Sequence, residues 1–220
     1  VISTLQPQDL INRCYAGDTS LCALVTRDGN GDLVSVVLSQ VNLAELKTRG
    51  VDFEVSYNMP MSRFAESWSG DLSLRFLATY TDRFIIDDGV TAVDYAGDVG
   101  SDVSNPTPKW RWNANVTYNN GPLTAYLGGL YVAGGKYNHT LGALIDKPNV
   151  DGRFYVDASL GWTLLDNDGR NVQLYGVVRN LFDKDPPVDP SSFFLAPLAT
   201  NPILYDVIGR TFTVGLRFKY

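Results

Sequence analysis

The sequence has no apolar run that approaches the length of a transmembrane helix, which needs about 20 consecutive apolar residues. Basic side chains are in the minority: the formal net charge is −6, which argues against a nucleic-acid partner because a phosphate backbone binds to basic surfaces. The segment Val1–Pro7 has neither the basic start nor the apolar centre of a signal peptide. What remains is a chain of 220 residues that suits one large all-β unit or part of a bigger protein.

Histidine and cysteine are also scarce. The only histidine is His139, and the only cysteines are Cys14 and Cys22. In an exported protein this cysteine spacing favours a small disulfide-closed loop, and two free thiols or half of a metal site are the alternatives. Zinc would need further ligands, and His139 is far away in the sequence. We predict a Cys14–Cys22 disulfide, no metal site, no cofactor and no catalytic residue, since His139 has no adjacent nucleophile motif.

The segment Asp28–Asp32 (Asp-Gly-Asn-Gly-Asp) has the oxygen spacing of the first half of a calcium-binding loop. It departs from that motif at the sixth place, where Leu33 replaces glycine, and at the twelfth, where Ser39 replaces glutamate. The sequence therefore predicts a turn here.

The last ten residues, Thr211–Tyr220, alternate strictly between polar and apolar side chains. A period of two describes a β-strand with one apolar and one polar face. Ten residues also match the roughly 9–11 that cross a bilayer as a tilted strand. The alternation recurs upstream, most clearly at 51–57, 71–80, 109–118 and 153–164 and less cleanly at 122–134 and 171–182. The pattern indicates seven strands from Thr48 to Tyr220.

The connections between these strands alternate between short and long, at 59–69, 83–108, 120–121, 135–152, 166–170 and 183–209. Outer-membrane β-barrels have this arrangement, with tight periplasmic turns and long external loops. Asn120-Gly121 suits a two-residue hairpin turn because both residues tolerate positive φ. The expected fold is all-β, an antiparallel transmembrane β-barrel with apolar side chains toward lipid and polar ones toward the interior.

The number of predicted strands bears on whether this chain forms a whole barrel or part of one. Bacterial single-chain barrels have even strand numbers, and an isolated seven-stranded sheet leaves two long unpaired edges. Residues 33–42 could supply an eighth strand, although their apolar pattern is blurred. We interpret 1–47 mainly as an extracellular excursion and 48–220 as the C-terminal strands and loops of a larger barrel. The alternatives are a small self-contained barrel with a structural or pore role and a soluble β-sandwich binding module.

Several segments resemble TonB-dependent outer-membrane receptors. The C-terminus of those receptors is similar to Asn180–Pro187 (Asn-Leu-Phe-Asp-Lys-Asp-Pro-Pro), to Tyr205–Phe212 and to the aromatic last strand. Thr48–Glu54 looks like a strand start in their last third, and Asn105–Trp110 is similar too. These matches are ordered along nearly the whole chain from 48 to 220.

The resemblance implies a 22-stranded barrel, plugged by an N-terminal globular domain, that imports a scarce substrate of siderophore, cobalamin or carbohydrate type. The chain would then be part of a transporter and not an enzyme. It would depend on the plug, the missing strands and the TonB complex, none of which this sequence contains. In such receptors the terminal aromatic strand, here Phe218 and Tyr220, resembles a recognition signal for the barrel-insertion machinery.

The expected location is the bacterial outer membrane, with lipid and lipopolysaccharide as partners. Aromatic side chains near strand ends are expected to form girdles at the headgroup level; they are Tyr57, Tyr80, Trp110, Trp112, Tyr118 and Trp162. The loops 83–108, 135–152 and 183–209 are expected to form part of the outer ligand-collecting surface, without assigned ligand-binding residues. Phe193 and Phe194 are candidates for a ligand contact or for packing between loops.

Overall fold

The computed structural model describes residues 2–5, 7–38, 40–42, 45–87, 92–101, 105–139, 141, 145–167, 170–189 and 198–220. This part of the chain is dominated by antiparallel strands. The elements in chain order are β1 (Ile2–Thr4), α1 (Pro7–Tyr15), α2 (Thr19–Cys22), β2 (Val25–Arg27), β3 (Leu33–Val36), β4 (Gln40–Asn42), β5 (Glu45–Pro60), a 3-10 turn (Met61–Arg63), β6 (Asp71–Asp87), β7 (Ala92–Asp94), β8 (Trp110–Asn120), β9 (Leu123–Val132), β10 (Gly135–Lys136), β11 (Asn149–Val150), β12 (Arg153–Asn167), β13 (Arg170–Arg179) and β14 (Thr211–Lys219).

The seven long strands form one antiparallel sheet in the order β14-β13-β12-β9-β8-β6-β5, with the short β7 paired to the end of β6. Each long strand therefore pairs with the long strands that come directly before and after it in the sequence. The seven predicted strands between Thr48 and Tyr220 are confirmed. The sheet is not closed: β5 and β14 each have one edge without a partner strand in the described part of the chain.

The first hairpin is longer than the sequence pattern indicates. Pairing of β5 with β6 continues past a bulge at Asp82 to the pair Glu45↔Asp87, whereas β8 joins β6 only up to Tyr80↔Trp110. Gly50 makes the bulge possible, because a Cβ at this position would collide with the Tyr80 carbonyl oxygen. The hairpin thus projects about 20 Å beyond the rest of the sheet, by the usual rise per residue.

The two faces of the sheet differ as the alternation predicts. One face carries large apolar side chains that stay exposed, including Phe53 at 54%, Leu160 at 56% and Val214 at 78%. The other face carries polar groups that bond across strands: the Thr79 hydroxyl donates to Asp52 Oδ1 at 2.7 Å, and Arg75 Nε donates to Glu54 Oε1 at 2.8 Å. Only two-stranded sheets accompany the large sheet in the described residues, so none covers the apolar face as a β-sandwich would require.

Residues before β5 form a small unit with a core of their own. The disulfide Cys14–Cys22 joins α1 to α2, as predicted. Leu5, Leu10 and Leu21 are buried together beside the β2–β3 hairpin. No helix in the described part of the chain is long and apolar enough to cross a membrane.

The predicted turn at 28–32 connects β2 to β3. Asp28 Oδ1 accepts hydrogen bonds from the backbone N–H groups of Asn30 and Asp32, both at 2.9 Å, and thereby holds the turn. Residues 33–36 pair with β2, and residues 40–42 pair with β1. Neither strand joins the seven-stranded sheet, so the pairing does not support an eighth wall strand from 33–42.

Candidate functional site

The three long connections leave the same end of the sheet. We call them loop 1 (88–109), loop 2 (133–152) and loop 3 (180–210), between β6 and β8, β9 and β12, and β13 and β14 respectively. Their ends lie side by side because the register pairs Val132 with both Arg111 and Arg153, and Arg179 with Thr211. Short connections occupy the opposite end.

One short connection differs by a residue from its prediction. The two-residue turn between β8 and β9 is Gly121-Pro122 and not Asn120-Gly121, because Asn120 still pairs with Leu123. Gly121 has φ +55°, which supplies the left-handed conformation that a tight hairpin needs. The turn between β12 and β13, at 168–169, lies outside the described residues.

The three long loops fold together into one buried group, which we call the loop cluster. Its core contains Val99 from loop 1, Tyr137 and Val150 from loop 2, and Leu204 and Tyr205 from loop 3, all at most 6% exposed. These side chains pack on Val132 and Tyr155. Both residues lie on the polar face of the sheet, in register with Arg111 and Asn113. The loops therefore fold inward over that face.

Polar contacts fasten loop 1 to loops 2 and 3. The Gly100 N–H donates to the Tyr137 carbonyl at 3.0 Å, and Asn201 Nδ2 donates to the Gly100 carbonyl at 2.7 Å. Asp189 accepts from both the N–H and the hydroxyl of Ser101, each at 2.8 Å. Burial raises the pKa of Asp189 above its usual value, against the opposing effect of these two hydrogen bonds, and burial raises the pKa of Tyr205 to about 12.

His139 connects three segments at the edge of the loop cluster. Its Nδ1 lies 2.5 Å from Oδ2 of the buried Asp98, and its backbone N–H donates to the same oxygen at 3.2 Å. The Tyr95 ring meets the imidazole edge-on at 4.9 Å, and the Tyr95 hydroxyl donates to Asp9 Oδ2 of α1 at 2.6 Å. The hydrogen bond to Asp98 raises the pKa of His139 above its ordinary value, while burial opposes the rise. The imidazole is thus a structural tie between α1, loop 1 and loop 2.

Asn180 organises the start of loop 3. It is 2% exposed and has φ +50°, and its Nδ2 donates to the Lys184 carbonyl at 3.1 Å and to Asp206 Oδ2 at 2.8 Å. Its Oδ1 accepts from the Lys184 N–H at 2.8 Å, and its own N–H donates to Asp157 Oδ1 at 2.8 Å. Asp183, also at positive φ, accepts from the Arg210 N–H at 2.9 Å. The motif at 180–184 is therefore a turn that clamps the two ends of loop 3 to β12.

Two cavities adjoin the loop cluster. The first has a volume of about 240 Å³, and we call it the wall pocket because it lies against the polar face of the sheet; it is lined by Asn113, Asn115, Tyr126, Gly128, Gly129, Leu130, Tyr155, Asp157, Arg179, Asn180, Asp206, Ile208, Gly209 and Thr211. The second, of about 550 Å³, lies between loops 1 and 2 beside Lys109, Lys136 and His139. The described residues contain no group of three or more histidine, cysteine or acidic side chains that suits a metal ion.

The structure places the proposed girdle residues on the apolar face in two rows. Tyr80, Trp110 and Trp112 lie toward the loop end, where the Tyr80 and Trp110 rings meet at a tilt of 36° with their centroids 4.7 Å apart. Tyr57, Tyr118 and Trp162 lie toward the short turns. Phe218 is exposed on the same face, and Tyr220 is fully exposed just beyond β14. The location of the girdle residues at the lipid headgroups and the role of Phe218 and Tyr220 in barrel assembly stay predictions. Phe193 and Phe194 lie outside the described residues.

Sequence reasoning missed the contacts that build the loop cluster. Ser101 and Asp189 are 88 positions apart, and Asp98 and His139 are 41 apart, so no local pattern announces either pair. The sequence held one signal for this region, the motif that begins at Asn180. The motif resembles the C-terminus of TonB-dependent receptors, but that resemblance does not predict the turn that Asn180 forms.

A two-faced antiparallel sheet with tight turns at one end and inward-folded loops at the other defines a section of an outer-membrane type of barrel wall. The chain belongs to the TonB-dependent receptor β-barrel family, whose model (TonB dependent receptor-like, beta-barrel) matches residues 9–181.

A solved structure also resembles the chain: the ferric-catecholate import receptor Fiu from K12 E. coli in its closed form, with 18% sequence identity and a TM-score of 0.47. The match covers 89% of this chain but 23% of that receptor, so the chain spans about a quarter of the receptor's length. No curated protein sequence matches the chain.

Proposed function

We propose that the chain is the C-terminal part of the barrel of a receptor that imports a scarce substrate across the outer membrane. The observation that carries this proposal is the loop cluster. Three loops from one end of the sheet bury Val99, Tyr137 and Tyr205 together over the polar face. A loop group in this position covers the mouth of a barrel, where it controls what reaches the interior. The substrate would be of siderophore, cobalamin or carbohydrate type.

The two faces of the sheet support the location. The apolar face of the two edge strands, β5 and β14, carries large apolar side chains that are at least 44% exposed. Exposed apolar surface of this extent marks contact with lipid or with another protein. In the proposed receptor this face meets outer-membrane lipid, and the loop end meets lipopolysaccharide.

Transport by this mechanism requires parts that the chain does not contain. The unpaired edges of β5 and β14 would join the remaining barrel strands, and the polar face would surround an N-terminal plug. The TonB complex would act through that plug. Members of this family are transporters and not enzymes.

The test is a deletion of the complete gene, followed by uptake measurements with ferric siderophores, cobalamin and oligosaccharides. Uptake of at least one substrate should fall in the deletion strain and equally in a strain that lacks TonB. If uptake of the whole panel is unchanged, or if uptake does not depend on TonB, the proposal fails.

A pair of variants in the complete protein connects the test to the loop cluster. Asp189→Ala removes the acceptor of Ser101 and should reduce uptake at an unchanged amount of protein in the outer membrane. Asp185→Ala, on an exposed side chain of the same loop, is the matched control and should leave uptake as it is.

The self-contained barrel and the soluble module make different predictions. A soluble module would be recovered without detergent. A self-contained barrel would have a signal peptide directly upstream of Val1 in the coding sequence, whereas a receptor would have several hundred in-frame residues with a plug domain. Membrane fractionation and sequencing of the upstream region separate the three.

A further inference from the structure

The wall pocket combines several features of a binding site. It lies where β8, β9 and β12 pass beneath the closing turn of loop 3, so strand residues form its floor and Asp206 and Gly209 form its rim. Its volume of about 240 Å³ is below the 300–1,000 Å³ that is usual for a site that encloses a whole drug-sized molecule. The pocket therefore has room for one ring of a larger ligand.

The floor of the pocket offers hydrogen-bonding groups that have no partner among the described residues. The side chains of Asn113 and Arg179 make no hydrogen bond or ion pair within the part of the chain that the structure describes. The Tyr126 hydroxyl donates to Asn115 Oδ1 at 2.8 Å, which leaves the Asn115 amide N–H groups to donate elsewhere. Asp157 uses Oδ1 to accept from the Asn180 N–H, so Oδ2 remains to accept. The floor of the pocket thus presents both donors and acceptors.

The position of Tyr126 depends on Gly128 in the same strand. A Cβ on Gly128 would collide with the Tyr126 hydroxyl, so the absence of a side chain lets the phenol lie along the wall. In this position the Tyr126 hydroxyl reaches Asn115 Oδ1 beside the pocket.

The charge of the lining decides the class of ligand. Asp157, Asp206 and Arg179 are its only ionisable groups besides the tyrosines, which gives two carboxylates against one guanidinium. Both carboxylates already accept hydrogen bonds from Asn180. A multiply anionic chelate would find one cation and two like charges here, and desolvated like charges are costly. Hydroxyl groups, which both donate and accept, match Asn113, Asn115 and Asp157 instead.

We propose that the wall pocket binds an uncharged, hydroxyl-rich ring, such as one sugar unit of an oligosaccharide, through Asn113, Asn115 and Asp157. This assignment rests on the proposed function and narrows its substrate to the carbohydrate type. The amides and the carboxylate hold the ring hydroxyls, and the rim of loop 3 sets the length of ligand that fits beside the wall.

The test uses the complete receptor with its plug, purified in detergent, on an array of uncharged oligosaccharides, with a ferric tris-catecholate chelate as the anionic comparison. The wild type should bind at least one uncharged oligosaccharide. Asn113→Leu should bind that oligosaccharide about tenfold more weakly or worse, because buried hydroxyls are left without a partner. Asn119→Leu makes the same change on the same strand and face outside the pocket and should bind like the wild type.

A second variant, Asn113→Ala, removes the amide without filling the pocket. It replaces Asn113→Leu in the binding test if that variant does not fold. Absence of binding to every uncharged oligosaccharide, or binding that neither Asn113 variant weakens, overturns the proposal. If the receptor then takes up an anionic chelate in a TonB-dependent way, the proposed receptor function is supported and only the assignment of a sugar ligand is wrong. Loss of TonB-dependence for every substrate would remove the receptor function itself.

Discussion

The two ends of the same sheet are built in different ways. At the turn end, Gly121 and Pro122 close the β8–β9 hairpin with two residues, and the Pro122 carbonyl accepts a hydrogen bond from the Thr163 N–H of β12 at 2.8 Å. At the loop end, Tyr137 is 2% exposed because side chains of loops 1 and 3 and of the sheet pack around it. The turn end is held by local backbone preferences and by hydrogen bonds to the next strand of the sheet, and the loop end is held by the packing of side chains from three loops. The loop end is therefore the part that substitution can open without unfolding the wall.

The largest expected effect comes from Tyr137→Ala in the complete receptor. Removal of this buried aromatic side chain leaves a cavity in the loop cluster, and such changes usually cost about 3–5 kcal/mol. Hydrogen exchange should show faster opening of loops 1, 2 and 3 but unchanged protection in β9 and β12. Phe64→Ala, on a side chain that is 60% exposed at the turn end, is the control and should change neither. Equal protection of the loops in both variants would show that packing does not hold the cluster.

Asn180→Ala should have the next largest effect. It removes three side-chain hydrogen bonds to Lys184 and Asp206 and places alanine at φ +50°, for a total of about 2–3 kcal/mol. Asn180→Gly keeps the backbone conformation and loses only the hydrogen bonds, so it should be less destabilising than alanine. Protease resistance of loop 3 measures both. If the two variants are equally sensitive, backbone conformation contributes nothing at this position.

Gly121→Ala tests the turn end. Nothing lies within 4 Å of the position of an added Cβ, so the cost is only that of an L-residue at φ +55°, about 1 kcal/mol. Hydrogen exchange should become faster at Asn120 and Leu123 and stay the same in the loop cluster. A change in the loops would show that the two ends are coupled through β8 and β9.

This contrast also explains what the sequence could and could not predict. Period-two alternation marks all seven wall strands because a strand with one exposed apolar face must alternate. The disulfide and the Asp28 turn were predictable because their partners are close in sequence. The loop cluster was not, because Val99, Tyr137 and Leu204 come from three loops without periodicity. The projecting β5–β6 hairpin was missed because the bulge at Asp82 shifts the register that the alternation follows.

The smallest expected effect is a pH dependence at the edge of the loop cluster. His139 faces three other charged groups: Asp98, to which it bonds, Asp9 of α1 and Lys136 of loop 2. The hydrogen bond to Asp98 raises the pKa of His139 above the ordinary 6.5, against burial and Lys136. A raised pKa in the folded protein means that protonation favours the folded loops. This stabilisation is complete below about pH 6.5 and is lost as the pH rises through the raised pKa.

Hydrogen exchange of Tyr95 and Lys136 in the complete receptor, measured from pH 5.5 to 8.5 and corrected for intrinsic rates, would detect this dependence. Protection should fall as the pH rises in the wild type. In His139→Gln, whose amide can still bond Asp98 without titrating, protection should be nearly independent of pH. Protection at β8, where no such tie exists, is the internal reference. A wild type with flat protection, or a variant with the same slope, would show that the Asp98–His139 contact holds loops 1 and 2 together without its charge.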